Sequence, residues 1–227
     1  MSLIKRQQFR AIVRSGALEQ VQDLMEQEED TINNLVQQNG ISFLRIYNFG
    51  EQLFLYLEAA SPINSVPLPE SINTLLQDWP TTRVPENIRY NVKWSEMLDI
   101  FHDAMPRNGI EWRDSNNTRT SIGSIIYLRP EKYASYVYYH FQLQEEGLKK
   151  FNKYFIIGAH ENCLFSYYEM PAVIDPWNKD RLLRSNDSPD SWAELMGEHF
   201  QPWAEGLNID DPWQVMQEVF SFPAINK

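Results

Sequence analysis

The first half of the chain alternates short runs of bulky apolar residues with one long amphipathic stretch. Within that stretch, apolar side chains recur at helical spacing between acidic and amide residues, and Asn39-Gly40 supplies a stop signal at its end. The flanking runs are rich in β-branched and aromatic residues, which is typical of strands. The predicted order is a strand at Phe9–Val13, a helix through Leu18–Val36, strands at Ser42–Tyr47 and Leu53–Glu58, a short helix at Ile72–Gln77 and a strand at Trp94–Phe101.

The second half of the chain predicts the same order of elements. Its apolar runs and its amphipathic stretches follow one another as they do in the first half. The predicted elements are a strand at Ile122–Leu128, a helix from about Glu131, strands at Lys153–Ile157 and Cys163–Glu169, a helix at Ser191–Phe200 and a final strand at Val215–Phe220.

Two sequence strings recur, in the same order, in the two halves. Leu53–Glu58 reads LFLYLE and Leu164–Glu169 reads LFSYYE, and the two strings lie 111 positions apart. Trp94–Phe101 and Trp213–Phe220 share the pattern W-x-x-M-x-acid-aliphatic-F. Self-similarity of this kind indicates duplicated structural units. The sequence therefore predicts an α+β fold made of two ferredoxin-like βαββαβ units.

The face of each predicted sheet that the helices leave uncovered is apolar and needs a partner. Two fused copies can bury these faces against each other, so we expect an intramolecular dimeric α+β barrel. The predicted domains are a structural unit at residues 1–105, a linker at 106–118 rich in Asn, Asp, Arg and Gly, and a unit at 119–227 that carries the site. A polar segment at 175–190 predicts a surface connection, with a lid as the less favoured alternative.

The balance of charge narrows the class of partner. Thirty-one acidic and 20 basic residues give a net charge of −11, which disfavours nucleic acids and anionic membrane surfaces. No charged-then-apolar leader and no apolar run of about 18 residues occurs, so we expect a cytoplasmic protein. The expected partner is a neutral or cationic small molecule, and association beyond the internal pseudo-dimer stays open.

His140 is the strongest candidate for proton chemistry among the four histidines. Tyr136 precedes it by one helical turn, so the two side chains share a helix face. Aromatic residues nearby can line a pocket for a small molecule. From spacing alone, an amphipathic helix with a histidine at its edge is the simpler interpretation. The other histidines, His102, His160 and His199, are interpreted as surface or structural residues.

Motifs for metals and nucleotide cofactors do not occur in the sequence. There is no zinc-ligand spacing, no G-x-S-x-G, no P-loop and no G-x-G-x-x-G string. We therefore expect no metal and no nucleotide cofactor.

Residues 121–223 resemble the L-rhamnose mutarotase family, whose units are dimeric α+β barrels. Leu128-Arg129-Pro130, followed by Tyr136 and His140, matches the opening pattern of that family. The string LFSYYE resembles its hairpin strand, Gln201-Pro-Trp203 resembles its tryptophan-bearing helix, and Trp213–Phe220 resembles its terminal motif.

The resemblance implies an isomerase that interconverts the anomers of an L-rhamnose-like 6-deoxy sugar without a cofactor. It implies that His140 is the catalytic proton donor and that Tyr136, Tyr154 and Trp203 bind the sugar. In the first copy, Val21 and Met25 stand where Tyr136 and His140 stand in the second. One site per chain is therefore expected.

Two other functions stay open. A single tryptophan where the family has a pair, and a short segment between His140 and Tyr154, favour a non-catalytic sugar-binding or scaffold protein. Other α+β barrels carry a histidine in their cleft, which favours a cofactor-independent monooxygenase or a haem-handling protein.

Overall fold

The computed structural model describes residues 4–79, 92–107, 111–113, 119–147, 152–175, 183–185, 187–204 and 212–223. The strands are β1 (Lys5–Ile12), β2 (Ile41–Phe49), β3 (Gln52–Ala59), β4 (Ser95–Glu96), β5 (Leu98–His102), β6 (Thr120–Tyr127), β7 (Ile156–His160), β8 (Cys163–Met170), β9 (Gln214–Val215) and β10 (Gln217–Phe222). The helices are α1 (Leu18–Gln27), α2 (Glu29–Gln38), α3 (Glu70–Asn73), α4 (Tyr133–Glu146) and α5 (Trp192–Gly197), and a 3-10 turn at Pro130–Lys132 precedes α4. None of the described helices is long and apolar enough to cross a membrane.

The backbone divides into two compact units. Unit 1 comprises Met1–Met97, Pro106–Trp112 and Gln217–Lys227, and unit 2 comprises Leu98–Met105 and Arg113–Met216. Each unit contains one five-stranded antiparallel sheet and the helices that pack on it. The predicted α+β fold with two ferredoxin-like units is confirmed.

Unit 1 has the strand order β10-β2-β3-β1-β4. The apolar stripe of its long amphipathic segment packs on this sheet, and Val21, Met25, Ile32 and Val36 are buried in one core cluster. The segment is two helices rather than the predicted single helix. The break lies at Glu28, whose backbone (φ −105°, ψ 20°) leaves helical geometry while the apolar stripe continues across it.

Unit 2 has the strand order β5-β7-β8-β6-β9. Helix α4 begins after Pro130, a residue that suits the first turn of a helix, and ends at Gly147, which takes the left-handed conformation (φ 57°) that favours glycine. The buried face of α4 and the apolar side chains of α5 pack on this sheet and form a hydrophobic core that is separate from that of unit 1.

The terminal motif of each half is split between the two sheets. In the first half, β4 pairs with β1 in unit 1, but β5 continues past Met97 to pair with β7 in unit 2. In the second half, β9 pairs with β6 in unit 2, whereas β10 pairs with β2 in unit 1. The two halves therefore exchange their last strands.

This exchange differs from the predicted organisation, in which Trp94–Phe101 and Val215–Phe220 each closed its own copy. The predicted boundaries at residues 105 and 119 do not follow the observed units, because residues 98–105 belong to unit 2 and residues 217–227 to unit 1. The pattern W-x-x-M-x-acid-aliphatic-F predicts a strand, but it does not predict which sheet that strand joins. In the predicted linker, residues 108–110 and 114–118 lie outside the described residues.

The exchanged strand β5 supplies core residues to unit 2, and Phe101 is buried there. Replacing Phe101 with Ala leaves a cavity, so we expect the free energy of unfolding to fall by about 3–5 kcal/mol. Leu98 lies on the same strand but is 60% exposed, and Leu98→Ala is the matched control with an expected change under about 0.5 kcal/mol. Urea denaturation measures both. An equally small fall in the free energy of unfolding of both variants would show that β5 contributes no packing to this core.

Candidate functional site

One face of α4 supplies the polar groups of a pocket in unit 2. Tyr136, His140 and Leu143 follow one another at helical spacing, and all three are buried. This is the periodicity that places side chains on a single helix face. In unit 1, Val21 and Met25 of α1 are fully buried core residues, so the predicted loss of the polar pair in that half agrees with a filled core.

The pocket has a volume of about 210 Å³. An apolar cavity of about 150 Å³ is large enough to bind benzene, so this pocket has room for a small aromatic molecule. Its walls are mostly aromatic and aliphatic. The lining residues are Phe101, Tyr136, His140, Leu143, Phe155, Ile157, Trp192, Ala193, Met196, Phe200, Pro212 and Trp213.

His140 is enclosed by rings and is only 4% exposed. Its imidazole stacks on Tyr136 with the ring centroids 4.0 Å apart, and it meets Trp192 edge-on at 5.0 Å and Phe101 at 5.8 Å. Edge-on and stacked contacts of this kind hold a ring in one orientation. The side chain is therefore fixed in the pocket wall.

A single hydrogen bond determines which nitrogen of His140 is available. Nδ1 lies 3.0 Å from the carbonyl oxygen of Tyr136. A carbonyl only accepts hydrogen bonds, so Nδ1 carries the proton and donates it, and in the neutral ring Nε2 keeps its lone pair. Among the described residues, Nε2 has no hydrogen-bond partner. It is the acceptor that the site offers to a ligand.

The environment of His140 keeps the ring neutral. Burial lowers its pKa, the hydrogen bond to the Tyr136 carbonyl raises it, and charge on His199 lowers it again, which leaves the pKa at about 4. At neutral pH the ring is an acceptor and a base. The proton-donor role predicted for His140 needs the protonated form, which is scarce at that pH.

Tyr136 adds a hydrogen-bond donor to the same pocket. Burial raises the pKa of its phenol, so the hydroxyl keeps its proton. Within the described part of the chain, this hydroxyl has no hydrogen-bond partner. A neutral base and a protonated hydroxyl thus lie one helical turn apart in an apolar cavity.

Helix α5 forms the opposite wall and is tied to α4 at its far end. The Oγ of Ser135 lies 2.8 Å from Nε2 of His199, and Nδ1 of His199 donates to the carbonyl of Leu195 at 2.8 Å. His199 is buried, so of its two predicted interpretations, surface or structural, the surface one is wrong. The pair holds α5 beside the first turn of α4.

Tyr154 and Trp203, the other predicted sugar-binding residues, do not line this pocket. The ring of Tyr154 is buried and faces Arg113, with 4.9 Å between the guanidinium carbon and the ring centroid, and Lys153 at 5.4 Å. Nε1 of Trp203 donates to the carbonyl of Pro212 at 2.9 Å. Trp203 therefore supports a lining residue and does not itself face the cavity.

Most residues of the pocket wall had no direct signal in the sequence. Trp192 and Met196 show helical spacing, which is the one local signal that places them together on α5. Phe101 comes from the other half of the chain through the exchanged strand, and no local pattern could assign it. Within the described ranges, no group of three or more His, Cys, Asp and Glu residues is placed to hold a metal ion.

No family model and no curated protein matches this chain. A solved structure of a candidate monooxygenase from Fusobacterium nucleatum is similar over 97% of this chain and 94% of that one, with 9% identity and a TM-score of 0.39. An anthrone oxidase-like protein is similar over 97% and 93%, with 10% identity and a TM-score of 0.35. At such identities and scores the likeness says nothing about activity.

The resemblance to the L-rhamnose mutarotase family is wrong. No family model supports it, and the solved structures that match are described as monooxygenase and oxidase-like proteins. The predicted isomerase activity and the predicted L-rhamnose-like substrate rested on that resemblance, and they are wrong as well. The matching residues describe a strand, a proline-started helix and a buried helix face, and unrelated chains share such features.

The buried neutral His140 makes stability depend on pH. Its pKa is about 4 in the folded protein, below the ordinary value of about 6.5 that it regains on unfolding. Above pH 6.5 it is neutral in both states and contributes nothing. As the pH falls from 7 to 5 the unfolded state binds the proton first, so the free energy of unfolding falls by about 2 kcal/mol.

Chemical denaturation between pH 7 and pH 5 measures this slope. We expect His140→Gln to remove it, because Gln does not titrate in this range. Phe141 lies on the same helix, is 52% exposed and does not titrate, so Phe141→Gln is the control that keeps the slope. An unchanged slope in His140→Gln would show that His140 is not held neutral.

Proposed function

We propose that unit 2 is a cofactor-independent monooxygenase for a small, flat, apolar molecule that carries an acidic C–H bond. The observation that supports this is the lone pair of Nε2 of His140, held in a neutral ring within an aromatic pocket. A neutral base at this place can remove a proton from a bound apolar substrate.

The size and lining of the pocket favour a substrate of about two fused rings, since about 150 Å³ already accepts benzene. The rings of Trp192, Trp213 and Phe101 supply flat apolar contacts. Such walls bind aromatic molecules by burying their apolar surface and by making edge-on ring contacts with them. The volume of about 210 Å³ lies below the roughly 300–1,000 Å³ of ordinary ligand pockets, which favours a small substrate.

Proton removal would proceed between Nε2 of His140 and a CH₂ group next to a carbonyl. The proton passes to Nε2, and the substrate becomes an enolate. The hydroxyl of Tyr136 keeps its proton and donates a hydrogen bond to the enolate oxygen. The enolate and the imidazolium then form an ion pair in an apolar cavity, which raises the effective basicity of His140.

The oxidation balances with dioxygen as the only co-reactant. The enolate carbon gives its electrons to O₂, and a C–O bond forms to a peroxide. The peroxide takes the proton back from His140. Loss of water then leaves a carbonyl, so CH₂ and O₂ become C=O and H₂O.

Oxygen consumption with indan-2-one tests this proposal, because this molecule has two fused rings and CH₂ groups next to its carbonyl. We expect turnover to indane-1,2-dione, with one oxygen atom derived from ¹⁸O₂. His140→Gln should lower kcat by about 100-fold or more because it removes the base. Tyr136→Phe should lower it by about 10-fold because it removes one donor to the enolate.

His102→Gln is the matched control, because His102 lies outside the pocket lining and should leave turnover unchanged. Equal turnover by His140→Gln and the unmodified protein would contradict the role of His140. Binding of indan-2-one without oxygen uptake would indicate a non-catalytic binding protein instead.

A further inference from the structure

Glu146 is a buried carboxylate in an unfavourable place. It is the last residue of α4 and is fully buried. The carboxyl end of a helix carries partial negative charge, which repels a carboxylate, and the last turn of α4 has no basic residue. A charge kept in such a position needs strong compensation.

The compensation comes from neutral donors on one short segment. Oε1 accepts hydrogen bonds from Oγ of Ser185 at 2.6 Å and from the backbone N–H of Asp187 at 2.8 Å. Oε2 accepts from Oγ of Ser188 at 2.6 Å and from its N–H at 3.1 Å. Gln142 adds a longer bond at 3.3 Å.

A carboxylate suits this set of donors because both of its oxygens accept and neither donates. Burial alone would raise its pKa, but the bonds from Ser185, Ser188 and Asp187 outweigh burial and lower the pKa to about 2. Glu146 therefore stays ionised at every pH at which the protein is expected to work.

The segment that Glu146 binds leads directly into the wall of the pocket. Only three residues lie between Ser188 and Trp192, the first residue of α5. The N–H of Leu183 adds a bond to the carbonyl of Glu145 at 3.1 Å. Helix α5 is thus held at its start through Glu146 and at its end through the pair of Ser135 and His199.

We propose that Glu146 is a positioning residue of the pocket, which fixes residues 183–185 and 187–188 against α4 and so keeps Trp192 of α5 packed on His140 and Met196 in the pocket wall. This inference rests on the proposed binding of an aromatic molecule at that pocket. Part of the predicted loop at 175–190 is accordingly a fixed support, although residues 176–182 and 186 lie outside the described residues.

The variant Glu146→Gln tests the proposal in the full-length chain. Its amide has one acceptor oxygen, and its NH₂ group faces donors. We expect the affinity for the fluorescent probe 2-naphthol to fall by about 10-fold. We also expect the pKa of His140, followed by NMR, to rise by about one unit as water enters beside the ring.

Glu145→Gln is the matched control, since Glu145 is the preceding residue and its side chain is half-exposed. It should change neither readout. Ser188→Ala removes one donor and should shift both readouts in the same direction by a smaller amount. If Glu146→Gln does not fold, the two readouts in Ser188→Ala test the positioning role instead.

Unchanged probe affinity and an unchanged pKa of His140 in a folded variant would overturn the positioning role. A fall in thermal stability alone would do the same, because it would mark Glu146 as merely structural. If the unmodified protein does not bind 2-naphthol, the proposed binding of an aromatic molecule at this pocket fails, and the titration of His140 still tests the positioning role.

Discussion

Each of the two sheets is completed by the last strand of the other half of the chain, through the register of β5 on β7 and of β10 on β2. In unit 2 this strand brings Phe101 into the core and into the pocket wall. The second half of the sequence alone therefore cannot form the complete site. Duplication and exchange together make one pocket from residues that lie far apart in the chain.

Burial of charge and of polar groups determines what that pocket can do. Enclosing His140 among rings removes the solvation that an imidazolium needs, so the ring stays neutral, and its bond to the Tyr136 carbonyl leaves the lone pair on Nε2. At the other end of the same helix, Glu146 is buried as an ion because its neighbours supply donors. Two titratable groups on one helix are thus in different charge states. His140 is neutral because it is desolvated, and Glu146 is ionised because hydrogen-bond donors surround it.

Sequence reasoning recovered the features that depend on local pattern. The repeat of LFLYLE as LFSYYE predicted β3 and β8, and helical spacing placed Tyr136 and His140 on one buried face. It did not predict contacts between residues that lie far apart in the sequence. Nothing in W-x-x-M-x-acid-aliphatic-F tells a strand to cross to another sheet, so Phe101 was missed. The family resemblance failed because a proline-started helix with a buried tyrosine and histidine is a packing pattern that does not specify a sugar site.

The protonation state of His140 at neutral pH decides whether its ring can act as the base of the pocket. Nitrogen-15 NMR of the imidazole distinguishes a protonated nitrogen from one with a free lone pair, and it does so without any ligand. We predict a neutral ring at pH 7 with the proton on Nδ1 and the lone pair on Nε2. A ring protonated at both nitrogens, or a neutral ring with its proton on Nε2, would contradict the proposed base.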